Sequence, residues 1–477
     1  MKKGKPIFEE ERLFLNERLG IDLPTDCWRD SKKIYLDCTC DKPIYEFKLL
    51  DEKDTYIKKI KSYDKETKKF YDDTQEIQQR KMVINKDNSK LFTDYKQKKI
   101  TDLIELYSDE INELEKHSVD FLTNYLLEHN EFEQIVNAHS SGKDSCVSLH
   151  IFNLALEEIK KINIDKYNTI NDKWIINFAN TTNDTGYTYK FIKSLDRVNY
   201  MNPDKGLLPW IREDKKYIHP TALVRNCCST YKEGQLIKHF DKNKFILMIT
   251  GVRKYESVKR GSYEEIMDHE NRIKIHGKDT LPEKWTNIAP ICNWEDKHIW
   301  LYIIRENIKF NYMYRLGFNR IGCLNCPYQT DYIDLLTEWY FTKSKHRWDE
   351  MLNISYDTYE TWNRLKWTRY EYIDLGKWKS GTSFEYEITN KKMTDERVKE
   401  LSKRKGCTED IAKKFWDKTC TCCGKKMNPS EISMSLKLLG RESDKLCKTC
   451  LCDHIGIDKN TYKQKQIEFT NSECTLF

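Results

Sequence analysis

Short apolar runs that lead through turn residues into helical patterns dominate the middle of the chain. A helix-like stretch begins near Phe121, and apolar runs follow at 134–138, 174–178 and 245–249, each passing into apolar positions spaced three and four apart. The run at 288–294 and the amphipathic stretch at 295–307 repeat the step. Brief apolar runs bounded by turns read as buried strands, and their alternation with helices predicts an α/β fold built on a doubly wound parallel sheet.

The flanks read differently. Residues 51–100 hold 14 Lys or Arg and 10 Asp or Glu, with no Gly, Pro, Ala or Cys. That texture predicts long solvent-facing helices or a mobile arm, so 1–120 is expected to be a charged, mostly helical region. The predicted core domain is 121–330. Residues 331–418 form an aromatic-rich helical extension whose Trp and Tyr suit a core more simply than a base-stacking surface, followed by a basic linker. Residues 419–477 read as a small Cys-rich domain.

A chain of 477 residues fits two to four domains at roughly 100–200 residues each. Its mean hydropathy of −0.79 and 33% charged residues describe a globular protein with a polar surface. No membrane-length apolar segment occurs, and the N-terminus lacks the apolar core of a secretory signal, so a cytoplasmic protein is expected. The net charge of +6 is a weak argument for nucleic acid. Seventeen cysteines say more: outside a disulfide-forming compartment, clusters at Cys227-Cys228, Cys323/Cys326, Cys420/Cys422/Cys423 and Cys447/Cys450/Cys452 point to metals. Cys146 and Cys292 read as small buried hydrophobes, and Cys27, Cys38 and Cys40 lack an obvious fourth ligand.

The clearest chemistry lies after the first core strand. Ser140-Ser141-Gly142-Lys143-Asp144-Ser145 joins that strand to a helix. A small-residue loop in this position aims backbone N–H groups and the helix dipole at one point, which suits a phosphate; Lys143 adds a cation and the serines add donors.

The string resembles the PP-loop of the ATP pyrophosphatase superfamily, with Ser141 where the usual first Gly of Ser-Gly-Gly-Lys-Asp-Ser stands. Further segments narrow the resemblance to the phosphoadenosine phosphosulfate (PAPS) reductase family: the turn from Asn180 and Thr181 to Asp184 and Thr185, Arg225-Asn226-Cys227-Cys228-Ser229-Thr230-Tyr231-Lys232, Gly251-Val252-Arg253-Lys254-Tyr255-Glu256-Ser257 with Arg260, and Pro290-Ile291 with Trp294. Gly317-Phe318-Asn319-Arg320-Ile321-Gly322-Cys323-Leu324-Asn325-Cys326-Pro327 completes the series. The resemblance implies an adenine nucleotide bound by Ser140–Ser145, Asn180, Thr181, Arg225, Lys232, Gly251, Arg253 and Arg260, with Lys143 and Asp144 serving catalysis and Mg²⁺ a candidate companion.

It also implies that Cys227, Cys228, Cys323 and Cys326 hold a [4Fe–4S] cluster, although four thiolates equally suit tetrahedral Zn²⁺ and free buried thiols stay open. In the tail, Cys420-x-x-Cys423 and Cys447-x-x-Cys450, 23 residues apart, read directly as a zinc ribbon or treble clef, with Cys422, Cys452 and His454 as lesser candidates. Glu473-Cys474-Thr475-Leu476-Phe477 resembles the catalytic Cys tail of assimilatory reductases, with Thr475 and Phe477 departing from it; an inert terminal Cys is the alternative.

Three functions compete. A reductase would displace sulfite from adenylylsulfate or PAPS through a thiolate such as Cys474, regenerated by a thioredoxin-like dithiol or glutathione. An ATP-dependent sulfurtransferase, similar to DNA phosphorothioation enzymes, would take sulfur from a donor protein or persulfide and modify a nucleic acid. A nucleotide-sensing or DNA-binding subunit without chemistry is the third, disfavoured by the retained Lys143, Asp144 and core cysteines. No membrane partner is expected, and an oligomer is compatible with the sequence.

Overall fold

Five strands between residues 5 and 87 form one sheet, and the larger part of 51–100 lies in it rather than in the long helices or arm that its composition suggests. A computed structural model describes residues 4–64, 67–213, 221–222, 226–276, 281–363, 367–441 and 444–471. In it β1 (Lys5–Pro6), β2 (Trp28–Asp30), β3 (Lys33–Tyr35), β4 (Tyr45–Asp64) and β5 (Lys69–Asp87) pair antiparallel in that order. β4 and β5 make a ribbon of 20 and 19 residues. The expectation of a mostly helical N-terminal region is corrected accordingly: among the described residues the helices there are Glu9–Leu19, a short 3-10 turn at Ser89–Phe92, Ile100–Leu106 and Ser108–Glu128.

Cross-strand pairing explains the ribbon. Leu49 lies opposite Met82, Phe47 opposite Ile84 and Tyr56 opposite Ile77, so sparse apolar residues meet on a shared face that neither segment reveals alone. The base is anchored by Phe47 against Tyr332 at 5.3 Å and by the Arg18 guanidinium 3.5 Å from the Tyr56 ring. Charged and polar residues occupy most of the exposed positions, with Ile57 and Tyr71 exposed among them.

The second sheet has six strands: β6 (Gln134–Ala138), β7 (Trp174–Ala179), β8 (Val198–Met201), β9 (Ile246–Thr250), β10 (Ile266–Met267) and β11 (Trp285–Ile288), in the order β10-β11-β9-β6-β7-β8. All neighbours are parallel except β10 with β11. This is the expected α/β architecture. The run at 288–294 differs: only Ile288 belongs to β11, and Pro290, lacking an N–H, falls in the turn that follows. β8 and β10, of four and two residues, are too short to announce themselves in the sequence.

The strand order reverses at β6, whose neighbours β7 and β9 lead away in opposite directions, and the loops after those strands converge there. A crevice at the carboxyl ends of strands beside such a reversal is where open α/β sheets bind ligands. Helix Lys143–Ile162 buries Val147, Ile151, Phe152, Ala155 and Ile159 in the core that also contains Ile135, Leu247, Ile249 and Ile288. That core continues into Phe14, Leu15, Trp28 and Phe47 of the N-terminal sheet region.

The chain divides into two compact units, one comprising Met1–Leu207 with Cys227–Lys345 and the other Leu208–Asn226 with His346–Phe477. The second unit is helical around its own core. Trp348, Trp367, Trp378, Tyr356 and Tyr372 are buried there with Cys420 and Cys447, so these aromatic residues serve packing. Among the described residues no helix is long and apolar enough to cross a membrane.

Candidate functional site

The loop after β6 is built around one left-handed residue. Ser141 has φ = +63°, a conformation that glycine adopts without cost and that a serine must be held in. Its N–H donates to His139 Nδ1 at 3.1 Å, and its hydroxyl accepts from Asn311 Nδ2 at 2.7 Å. All three residues are buried. Burial pushes the His139 pKa down to about 4, keeping the ring neutral and able to accept that bond.

Gly142 precedes helix Lys143–Ile162, and the Lys143 N–H donates to the Tyr314 hydroxyl at 2.9 Å. A Cβ on Gly142 would lie 3.1 Å from Ser140 Oγ. Ser145 Oγ donates to the Gly142 carbonyl at 2.9 Å. The six residues therefore form the strand–loop–helix turn that their sequence predicts, with the helix N-terminus at the loop.

Four charges close over its mouth. Lys143 Nζ lies 2.9 Å from Asp144 and 3.1 Å from Asp296, while Arg253 donates to each of the same two carboxylates at 2.6 Å. Arg253 is 1% exposed and also donates to the Trp294 carbonyl at 3.0 Å, so it acts as an internal strut rather than an open phosphate clamp. Burial pushes the Asp144 carboxyl up, but the Lys143 and Arg253 charges outweigh it and hold its pKa below the ordinary carboxylate value. Gly251 lets β9 approach this helix: a Cβ there would meet the Asp144 carbonyl carbon at 2.7 Å.

The turn after β7, the parallel neighbour of β6, reaches one of the core cysteines. The Asn180 side chain donates to Asn202 at 2.8 Å and accepts from Thr182 N–H at 2.9 Å and Tyr189 OH at 2.8 Å. Thr181 Oγ1 donates to Asp184 at 2.7 Å and accepts from Cys323 Sγ at 3.3 Å. The Leu324 N–H donates to the Asn183 carbonyl at 2.9 Å, and Asn183 also bonds Asn325. Asn180 and Thr181 thus shape this turn.

Cys227, Cys228, Cys323 and Cys326 are neighbours. The Cys227 thiol is pushed up by its bond with Cys228 first, then by burial and by the nearby Cys228, Cys323 and Cys326. The four thiols come from two segments and supply the donor type that thiolate-ligated metal groups use, but among the described residues they do not draw together as closely as the quartet of the second unit. The Lys232 pKa is raised, chiefly by Cys323 and further by Cys228 and Asp184. Arg320 opposes that rise, and Arg320 and Arg253 also help lower the Arg260 pKa after burial, so several cations share this region. Arg260 is paired with Glu256. Arg225 and Cys474 lie outside the described residues.

The second unit brings Cys420, Cys423, Cys447 and Cys450 together, their Sγ atoms all within 4.8 Å of one another. Cys447 N–H donates to Cys420 Sγ at 3.2 Å. Burial raises the Cys420 thiol, yet the backbone N–H groups of Cys447, Cys423 and Cys422 outweigh it and bring the pKa down to about 6. The quartet could hold a metal ion. Cys422 is exposed and Cys452 buried, and neither belongs to the quartet. Cys146 and Cys292 are buried, as expected of small hydrophobes.

Asp296, Tyr314, Asn311 and Asp184 were not marked as site residues by sequence reasoning. Tyr314 meets Lys143 across 171 positions, and Asp296 meets Arg253 across 43. Asp296 does follow Trp294 closely, and that proximity was the available signal.

Residues 134–329 match the sequence profile of the phosphoadenosine phosphosulfate reductase domain. The chain is 28% identical over 261 residues to an uncharacterized protein of Methanocaldococcus jannaschii, covering 54% of this chain and 58% of that one. It thus spans little more than half of that relative's length. It is 22% identical over 204 residues to an adenosine 5′-phosphosulfate reductase of Bacillus mycoides, covering 42% of this chain and 75% of that one. The phosphate complex of the PAPS reductase from Candida auris aligns at 15% identity and a TM-score of 0.28, over 43% of this chain and 93% of that one.

Proposed function

From a chain whose residues 134–329 belong to the phosphoadenosine phosphosulfate reductase family, we propose an enzyme that binds an adenine sulfonucleotide at the PP-loop and releases its sulfur as sulfite. One observation supports the reading: the phosphate loop and the turn 180–185 follow the adjacent parallel strands β6 and β7, and Thr181 of that turn accepts from Cys323, so one core cysteine lies at the same sheet edge as the loop. A nucleotide at the loop would have its sulfate end near thiols and cations.

In this reading the Lys143 ammonium binds phosphate together with the loop N–H groups other than those of Ser141 and Lys143, which are held by His139 and Tyr314, and Lys143 exchanges Asp144 and Asp296 for the incoming anion. Arg253 stays in place and keeps both carboxylates from the phosphate. Lys232, Arg260 and Arg320 balance the sulfate charge. Cys227, Cys228, Cys323 and Cys326 would hold a [4Fe–4S] cluster, which would supply a charged, polarizable centre beside the nucleotide.

A thiolate, with Cys474 the candidate, attacks the sulfate sulfur: an S–S bond forms, the S–O bond to the nucleotide breaks, and AMP, or its 3′-phosphate from PAPS, leaves with the electron pair. A dithiol reductant then releases sulfite, taking up the two-electron change as its own disulfide.

The second reading is sulfur transfer to a nucleic acid with cleavage of ATP. It is favoured by the cysteine quartet and the basic surface of the second unit, which a minimal sulfonucleotide reductase does not need. Calorimetric titration with adenylylsulfate, PAPS and ATP tests the choice. The first reading predicts that a sulfonucleotide binds at least tenfold more tightly than ATP and that Lys143→Ala abolishes binding; preferential ATP binding supports the second.

A further inference from the structure

We infer that the second unit carries a docking surface for single-stranded nucleic acid, formed where helix Phe384–Thr389, the segment after it and the 420–426 knuckle meet. The inference does not depend on which reaction the PP-loop serves.

Tyr386 is 42% exposed, and the Lys418 ammonium lies 5.3 Å from its ring centroid. Lys418 also donates to Asn390 Oδ1 at 2.5 Å, which fixes it beside the end of that helix. Lys391 and Lys392 follow immediately and are exposed. Trp416 Nε1 donates to the Lys391 carbonyl at 3.0 Å, fastening that segment to the chain entering the knuckle. Thr419 then pairs with Lys426, and Lys425 and Lys426 project as exposed residues from the knuckle turn.

Several of the acids at this place are paired with other lysines. Of the acids nearest in sequence, Glu385 pairs with Lys405 at 2.9 Å, Glu387 with Lys377 at 2.8 Å and Asp417 with Lys445 at 2.5 Å. Asp395 and Glu396 stay exposed at the start of the next helix. Among the described residues none of Lys391, Lys392, Lys418, Lys425 and Lys426 has an ion-pair partner.

Several like charges held beside a partly exposed aromatic ring suit an occupant that is polyanionic and has stackable rings. A single strand offers both, its phosphates to the lysines and an unstacked base to Tyr386. A duplex offers the charge but keeps its bases stacked.

The test uses the full-length protein and fluorescein-labelled 20-nucleotide oligo(dT), with a duplex of equal length as competitor, read by anisotropy across a salt series. The single strand is expected to bind more tightly than the duplex. Replacing Lys391, Lys392, Lys425 and Lys426 together by Ala should weaken it more than tenfold and lower the salt slope by about 3, at about 0.7 per lost phosphate contact on a single strand. Tyr386→Ala should weaken single-strand binding about fivefold or more while leaving duplex binding unchanged, and Tyr386→Phe should restore it. Lys143→Ala should bind oligo(dT) as the wild type does, separating this surface from the nucleotide loop. Equal affinity for duplex and single strand with no effect of Tyr386→Ala, or unchanged binding by the quadruple variant, overturns the proposal.

Discussion

Gly251 stands where a Cβ would come within 2.7 Å of the Asp144 carbonyl carbon, so the end of β9 and the first turn of the PP-loop helix touch through backbone alone. The same Cβ would meet Ser145 N at 2.8 Å. Neither neighbour is a flexible side-chain tip that could swing aside. Gly251→Ala should therefore cost about 1–3 kcal/mol, the range of overpacking, and weaken nucleotide binding more than tenfold. Chemical denaturation and calorimetry check the two effects.

Asp144 and Asp296 share one guanidinium. Replacing Arg253 by Met keeps the bulk but leaves the two carboxylates facing each other with only Lys143 between them. Loss of one partner from a buried pair costs about 3–5 kcal/mol, and the partial exposure of the two acids places this case at or below the lower end. Asp296→Asn should cost less, because Arg253 keeps Asp144 and the Trp294 carbonyl. Urea melts of the two variants test that order.

His139 sets a pH dependence. Folding lowers its pKa from 6.5 to about 4 by burial, so below pH 6.5 the unfolded chain takes up a proton that the folded chain refuses. The stability it contributes is complete above pH 6.5 and is lost as pH falls toward 4. The full effect is about 3 kcal/mol, from about 1.4 kcal/mol per pKa unit. Thermal melts from pH 4 to 7 should show this loss in the wild type and a shallower one in His139→Gln, which keeps a side-chain acceptor for the Ser141 N–H.

The cysteine quartet of the second unit is proposed to bind one zinc ion. Cys420 and Cys447 are part of that unit's buried core, so metal loss should loosen the core as well as the knuckle. Elemental analysis should find one zinc per chain that Cys447→Ser lacks, and the variant should melt earlier; a chelator should reproduce the shift in the wild type.

What was legible in the sequence was what is contiguous. The PP-loop is a single string between a strand and a helix, and the cysteine pairs carry their own spacing. The β4–β5 ribbon was not legible, because Phe47, Leu49 and Tyr56 gain apolar partners from a strand some 20 to 40 residues away and from Tyr332 and Trp339 far along the chain, and a count of charges along either strand suggests a solvated helix. Asp296 was missed for the same reason, since its importance comes from Arg253 on another loop. Arg253 itself was found, but its burial, and therefore its role as a strut, depends on the Trp294 carbonyl and two acids that only the fold assembles.

The most direct test of the central claim is anaerobic incubation of the purified protein with ³⁵S-labelled adenylylsulfate or PAPS and a dithiol reductant, following labelled sulfite and the nucleotide product. The account predicts sulfite and AMP, or its 3′-phosphate, in equal amounts, lost in Lys143→Ala and in Cys228→Ser. Absence of sulfite from either sulfonucleotide, with AMP or pyrophosphate formed from ATP only when a nucleic acid is added, would contradict it.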